Sequence, residues 1–374
     1  MACAAVAAAN TTPDTTGGQI EHAPGYTFGS KVGGYLRLST DICDIKSTIG
    51  TSDTPPYAEA RKIYLDGKNS YKNDGTIRTL RELATKSYAG EPVFDMYAEY
   101  FGTAAFLDQP VSFAFAGDAP YLTVPQRNET IVKGLESALQ TVYLLHELDE
   151  AADKIRDRKL SAADGAPHNI DETWAIYVGE RPDCSLWGAS HKRAREFGTM
   201  QDCNTSKVNA AMLAAHRAMY KAASDGDLAA FNAQVAEVQR LFLITYIQAT
   251  LKYAELMDRA VAAKDQETLQ ADQAEGYMFF RTIEPFIARA NNRSAEAIAN
   301  VLRPGNPAPP NTLAIVRPAL EATYGRLGIT PADIGTFGAQ QTLGCAAKSA
   351  AGGLVVRAGM LVAAVIALLV VGMF

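Results

Sequence analysis

Apolar residues along most of this chain recur every three or four positions, the spacing that places them on one face of an α-helix. Two-residue alternation, the pattern of a half-buried strand, is scarce. Asp227 and Ser294 are expected to cap the N-termini of two helices. The sequence therefore predicts an all-α protein, with helices over residues 57–65, 77–87, 95–106, 130–158, 171–178, 208–223, 228–263, 269–290, 294–302 and 312–327.

The helical pattern is also duplicated. Glu172 and Pro182 match Glu275 and Pro285 at a common offset of 103 residues. The same ungapped offset pairs aromatic residues along the helices, namely Trp174 with Tyr277, Tyr177 with Phe280 and Tyr143 with Tyr246. Recurrence in register predicts an internally duplicated helical bundle, in which two pseudo-symmetric halves share one core.

The repeat and the composition divide the chain into four parts. The first is a flexible leader rich in Thr, Gly and Pro, and the last is a C-terminal hydrophobic tail. Between them lie two helical repeats, of which the first carries an insertion. The predicted boundaries are 1–34 for the leader, 35–200 and 201–345 for the repeats, and 346–374 for the tail.

The overall composition is that of a folded protein, with 48% apolar and 20% charged residues. The formal net charge is −6. Nucleic-acid binding needs a basic patch or stripe, which this balance does not provide, so we exclude DNA and RNA as partners. An acidic balance permits cationic ligands.

Five cysteines are present, and none forms a CxxC pair that would indicate a zinc ribbon or a thioredoxin-like site. Their positions favour one disulfide between Cys184 and Cys203, closing a polar loop. A second disulfide, between Cys43 and Cys345, would join the ends of the folded region and leave Cys3 without a predicted partner. Free buried thiols are the alternative.

Four Asn-X-Ser/Thr sequons, in segments that resemble loops, indicate a secreted glycoprotein. An oxidising compartment would also favour the disulfides. The glycosylation candidates are Asn10, Asn128, Asn204 and Asn292.

The C-terminal segment predicts attachment to a membrane. Residues 358–374 form an uninterrupted apolar run, preceded by small residues around Ser349 and a short spacer. This order is the pattern of a GPI-attachment signal, with Ser349 as the anchor candidate. A short transmembrane tail is the alternative. Residues 1–9 fit the end of a signal peptide but lack its basic region.

Candidate metal ligands lie on the helix predicted over 130–158. His146, Asp149 and Glu150 continue its apolar stripe. His146 and Glu150 are four residues apart, so both side chains can reach one point. Polar groups on an apolar face need a hydrogen bond, an ion pair or a metal ion. A structural histidine near a helix end that enters solvent is the alternative reading.

A second polar segment leads into the next predicted helix. Asp171 has an ordinary explanation as an N-cap, but Glu172 has a counterpart, Glu275, in the second repeat. Equivalent glutamates in a pseudo-twofold structure would face each other or occupy paired sites. Together with His168, these residues complete the candidate ligands. Carboxylate and imidazole groups suit a hard cation such as ferric iron or manganese.

Catalytic patterns are missing from the sequence, so we expect no enzyme. The Glu-x-x-His repeat of ferritin-like di-iron proteins is absent. A Gly-rich phosphate loop, HExxH and GxSxG are absent too.

The segment 163–199 is the most specific part of the chain. It contains ADGAPHNIDETWAIYVG, DCSLWG and KRAREFGT, and it resembles the algal Fe-assimilation proteins, extracellular and periplasmic proteins also described as high-CO2-inducible. DICDI at 41–45, GTIRTL at 75–80 and HELD at 146–149 fit the same pattern, so the resemblance extends over about residues 40–345. The hydrophobic tail departs from the soluble members of the family.

The resemblance implies secretion, induction under iron limitation and delivery of iron to a surface uptake system. It implies iron as the ligand and fixes no ligand set. The hard donor groups favour ferric iron, and carbonate stays open as a co-ligand. Two other hypotheses remain. One is a structural or adhesive surface protein whose acids are only solvated or paired. The other, an imelysin-like helical enzyme, ranks last because the Gly-x-His-x-x-Glu pattern is lacking.

Overall fold

A computed structural model describes residues 25–339 and 341. Over this range the protein is helical, with two isolated β-bridges and no strand, which confirms the all-α prediction. The helices are α1 (Gly33–Leu36), α2 (Leu38–Ile49), α3 (Tyr57–Asp66), α4 (Leu80–Thr85), α5 (Pro92–Phe101), α6 (Asp108–Ala116), α7 (Val124–Lys133), α8 (Gln140–Arg156), α9 (Ala166–Val178), α10 (Leu186–Phe197), α11 (Lys207–Asp225), α12 (Leu228–Ala263), α13 (Gln266–Ala290), α14 (Asn292–Leu302), α15 (Thr312–Glu321), α16 (Tyr324–Leu327) and α17 (Pro331–Ile334).

Two long helices organise the molecule. One is α12, and the other is formed by α7 and α8, which a π-helical turn, Gly134–Leu139, joins without a break. Capping side chains start both of them. Asp227 accepts a hydrogen bond from the Ala230 amide at the start of α12, as predicted, and Thr123 forms a capping box at the start of α7.

Two other predicted caps were wrong. Asn291, not Ser294, caps α14, and the Ser294 amide is the donor to it. α9 begins after Gly165, so Asp171 lies inside the helix rather than at its N-cap. In both cases the helix extends further toward its N-terminus than the apolar periodicity indicated.

The core lies where the long helices meet their neighbours. α13 packs along α12 on one side and against α7 and the π turn on the other, while α9 packs between α8 and α11. The aromatic residues singled out by the repeat, Trp174, Tyr177, Tyr246 and Phe280, are fully buried there. The duplication itself and the boundaries between its halves stay predictions.

The disulfide pairing differs from the prediction. Cys43 of α2 is bonded to Cys184, which ends a 3-10 turn (Pro182–Cys184), with 5.6 Å between the Cα atoms. Both predicted pairs, Cys184–Cys203 and Cys43–Cys345, were therefore wrong, because Cys43 and Cys184 are bonded to each other. Cys203 is disulfide-bonded as well. The spacing of the cysteines along the chain could not predict the Cys43–Cys184 pair, because α2 packs directly against that turn although the two are far apart in sequence. Cys3 and Cys345 lie outside the described residues.

Two of the sequon asparagines lie in helices rather than in loops. Asn128 lies in α7, where its side-chain oxygen accepts a hydrogen bond from the Tyr57 hydroxyl at 2.7 Å. Asn292 is the first residue of α14, and Asn204 is exposed in a turn. Asn10, Ser349 and the apolar run 358–374 lie outside the described residues. Within the described part, every helix is too short or too polar to cross a membrane.

Candidate metal centre

Carboxyl and imidazole groups gather where α8 and α9 meet α1 and the segment before α5. α8 supplies three of them from adjacent turns, and α9 supplies two that are four residues apart. The sixth comes from the residue immediately before α5. We call this set the acidic cluster; its members are Glu91, His146, Glu147, Glu150, His168 and Glu172.

The outer group of the acidic cluster consists of Glu91, His146 and Glu150. Nδ1 of His146 lies 2.8 Å from both carboxylate oxygens of Glu91. One ligating atom from each of the three residues lies within 4.8 Å of the other two. His146 is only 6% exposed, whereas Glu150 is exposed, so this group lies at a surface opening.

Burial and like charge shape the protonation of the outer group. Burial, together with the neighbouring carboxylates of Glu150 and Glu147, raises the pKa of Glu91 to about 8. Burial lowers the pKa of His146 from its ordinary value. Near neutral pH, therefore, Glu91 holds a proton and His146 is neutral, with a ring nitrogen available as a ligand.

The inner group consists of Glu147, His168 and Glu172. The carboxyl groups of Glu147 and Glu172 are hydrogen-bonded to each other, which requires a proton between them. Nε2 of His168 lies 3.0 Å from Oε1 of Glu172. Burial, followed by the Glu172 charge, raises the pKa of Glu147 to about 7.

Asp171 does not point its carboxylate at this group. It accepts hydrogen bonds from the Tyr26 hydroxyl, the Gly29 amide and the Ser30 hydroxyl, and so fastens the segment before α1 to α9. The Ser30 hydroxyl also lies 2.7 Å from Nδ1 of His168. Asp171 therefore holds the imidazole through Ser30 with its other nitrogen toward Glu172, the arrangement that orients metal-binding histidines. Its predicted role as a direct ligand is not supported.

No cationic side chain of the described residues forms an ion pair with the carboxylates of the acidic cluster, apart from its own histidines. Lys86 and Lys154 act on it only through longer-range Coulomb interaction. Three buried polar atoms beside the cluster also lack a partner: Oδ1 of Asn169, whose amide nitrogen donates to Glu147 at 2.7 Å, Oδ2 of Asp149, and the hydroxyl of Tyr88.

Glu275 lies in a different environment. Nζ of Lys133 is 3.4 Å from its carboxylate and 2.8 Å from that of Glu136. Glu275 also contacts Glu129 and Tyr253, and no described contact joins it to Glu172. A buried ammonium group thus occupies the position that a metal ion would need. We leave Glu275 out of the candidate centre.

The structure therefore brings together four of the six predicted ligands and adds two. His146 with Glu150, and His168 with Glu172, lie in the cluster. Sequence reasoning missed Glu147 and Glu91, although Glu147 directly follows His146 and Glu91 directly precedes the proline that starts α5. Another group of potential ligands, Cys43, Asp183 and Cys184, has its sulfurs in the disulfide and so offers no thiolate.

A family model described as Fea1, low iron-inducible periplasmic protein, matches residues 1–282. The chain belongs to this family. The match confirms the resemblance to the Fe-assimilation proteins, and the whole acidic cluster lies inside the matched range. No curated protein and no solved structure matches the chain.

Membership of the Fea1 family makes this an iron-related periplasmic protein, secreted from the cytoplasm. The Cys43–Cys184 disulfide agrees with that, because such bonds persist in oxidising compartments. The Fea1 description names no catalytic activity. Attachment to the membrane stays a prediction.

Proposed function

We propose that this protein binds iron outside the cytoplasm at the acidic cluster and holds it for a surface uptake system. The observation that carries the proposal is the contrast between the two buried groups of acids. The chain supplies Lys133 to the acids around Glu275, and it supplies no lysine or arginine to the acidic cluster among the described residues.

Electrostatics explains why the contrast matters. Neighbouring carboxyl groups in a poorly hydrated site need either a bound proton or a nearby cation. The raised pKa values of Glu91 and Glu147 mean that protons serve this purpose in the metal-free protein. Because metal ligands must be deprotonated, an arriving metal ion replaces these protons.

The donor set fits the ion named by the family. Four carboxylates and two imidazoles are hard to borderline ligands, which suit iron or manganese better than copper(I) or a thiolate-bound zinc. The choice of iron over manganese rests on the family description, which connects these proteins with low iron. The exposed carboxylate of Glu150 offers the ion a way in.

Equilibrium dialysis against ferric nitrilotriacetate, followed by elemental analysis, tests the proposal. We expect the wild-type protein to retain iron and the E147Q/E172Q variant to bind it at least about tenfold more weakly, as for lost metal-site residues in general. E275Q is the matched control, since it changes a buried glutamate of the lysine-neutralised group, and it should bind iron as the wild type does.

Circular dichroism would verify that each variant is folded. Equal iron binding by the wild type and E147Q/E172Q would place the ion elsewhere. Binding no stronger than that of an unrelated acidic protein would reject the function and leave a structural surface protein.

A further inference from the structure

Three tyrosines border the acidic cluster. Tyr35 lies in α1, Tyr88 precedes α5, and Tyr143 lies on α8 one turn before Glu147. The Tyr35 hydroxyl donates to Oε1 of Glu147 at 3.1 Å and lies 3.4 Å from the Tyr143 hydroxyl. The ring of Tyr88 stacks on His146 with 3.6 Å between the ring centres.

One of these hydroxyl groups and a neighbouring amide oxygen lack a hydrogen-bond partner. A buried tyrosine normally finds a good hydrogen-bond partner for its hydroxyl. Tyr88 is 9% exposed and its hydroxyl has no partner, whereas the hydroxyls of Tyr35 and Tyr143 are hydrogen-bonded to the Glu147 carboxyl group. Asn169, which is 3% exposed and donates its amide nitrogen to Glu147, also has an oxygen, Oδ1, without a hydrogen-bond partner. These buried oxygens point to a ligand that supplies positive charge.

One positive group already favours a charged phenol here. The guanidinium of Arg78 lies 3.7 Å from the centre of the Tyr35 ring and acts to lower the pKa of that phenol. Burial and the Glu147 charge outweigh it and raise the pKa of Tyr35 and of Tyr143 well above the usual range. Both phenols are therefore protonated in the metal-free protein. Phenolate oxygens are hard anionic donors, which suit a trivalent ion better than a divalent one.

We propose that Tyr35 and Tyr143 are phenolate ligands of the inner group and that they make the site selective for ferric over divalent ions. The inference rests on the proposed function, because it names further ligands of the same ion. On binding, each phenol O–H bond breaks, its proton leaves to solvent, and the oxygen bonds to iron(III). No electron is transferred, and the iron stays trivalent.

Ferric phenolates absorb visible light through charge transfer from the ligand to the metal, which ferrous and zinc complexes do not. Titration of the full-length protein with ferric nitrilotriacetate should therefore produce a visible band, and titration with zinc or anaerobic ferrous iron should not. We expect Y35F and Y143F to weaken the band and to lower ferric affinity at least about tenfold, with zinc affinity unchanged.

Y253F is the matched control, because Tyr253 is a buried phenol hydrogen-bonded to Glu275 beside Lys133. It should leave the band intact. Iron bound at the cluster without a visible band, with binding still lost in E147Q/E172Q, would overturn the tyrosine assignment and spare the proposed function. A band that survives in the Y35F/Y143F variant would also overturn the assignment. The absence of any iron binding would reject the function itself.

Discussion

At the scale of single residues, Lys133 shows one way in which this protein compensates the charge of buried carboxylates. Its ammonium is almost fully buried between Glu136 and Glu275, and those charges raise its pKa although burial alone would lower it. In the acidic cluster the corresponding compensation comes from protons on Glu91 and Glu147. A proton can be exchanged for a metal ion, whereas a covalently attached lysine cannot.

Replacing Lys133 by methionine should destabilise the protein strongly. The change leaves Glu275 buried without the ammonium it pairs with, whereas Glu136 keeps that of Lys46 at 3.6 Å. Removing one partner of a buried ion pair costs roughly 3–5 kcal/mol in comparable sites. Urea denaturation would measure the loss. The double variant K133M/E275Q should recover part of it, because the uncompensated charge of Glu275 is then removed. Additive effects of the two changes would contradict the proposed pairing.

The pKa values of the cluster predict how stability depends on pH. The folded, metal-free protein keeps protons on Glu91 and Glu147 up to about pH 8 and 7, while an unfolded chain releases them near the ordinary value of 4.5. Their contribution to stability is therefore fully present below about pH 4.5 and is lost as the pH rises to about 8.

The E91Q variant tests this dependence, because glutamine cannot ionise. Between pH 5 and 8, in the presence of a chelator, its free energy of unfolding should fall less steeply than that of the wild type. Glu129, a buried acid on which Glu91 does not act, titrates in both proteins and cancels in the comparison. Parallel curves would mean that Glu91 does not hold a proton in the folded state.

At the scale of helices, α9 depends on the segment that precedes α1. Asp171 binds that segment through Tyr26, Gly29 and Ser30, and Ser30 in turn orients His168. Tyr26 also stacks on Trp174 in the core. The segment is thus part of the support of the inner group.

Asp171→Ala should release this segment. Hydrogen exchange at the Gly29 amide should become faster, and iron affinity should fall about tenfold because His168 loses its second hydrogen bond. Asp149→Ala, a change to another partly buried aspartate, is the control for general effects of lost charge on the Gly29 exchange rate. Unchanged exchange at Gly29 would show that Asp171 is not what holds the segment.

The sequence predicted helices better than it predicted the centre. α12 has the predicted ends because Asp227 caps it and its apolar pattern is continuous. The inner group was harder to predict, because apolar periodicity indicates a single buried face on the helix at 130–158. Residues 130–148 are in fact buried on every side, with α6, α9, α12 and α13 packed around them. Glu147 is therefore as enclosed as His146, a fact that periodicity cannot reveal.

At the scale of the whole molecule, the Cys43–Cys184 disulfide joins parts of the chain that are 141 residues apart. Closing so long a loop restricts the unfolded chain considerably. The C43S/C184S variant should lose roughly 2–5 kcal/mol of stability under oxidising conditions, as measured by urea denaturation. A midpoint equal to that of the wild type would show that helix packing alone fixes this region.

Lys133 is part of the chain, but the counter-ion of the acidic cluster must come from solution. The stability of the protein therefore depends on the ions in its surroundings. A ligand that binds only the folded state adds stability by mass action, about 2.7 kcal/mol when its free concentration is a hundred times its dissociation constant. With the proposed ion bound, the molecule resists unfolding and proteolysis; when emptied, it yields to them sooner. Turnover of the extracellular population would then be fastest where iron is scarcest.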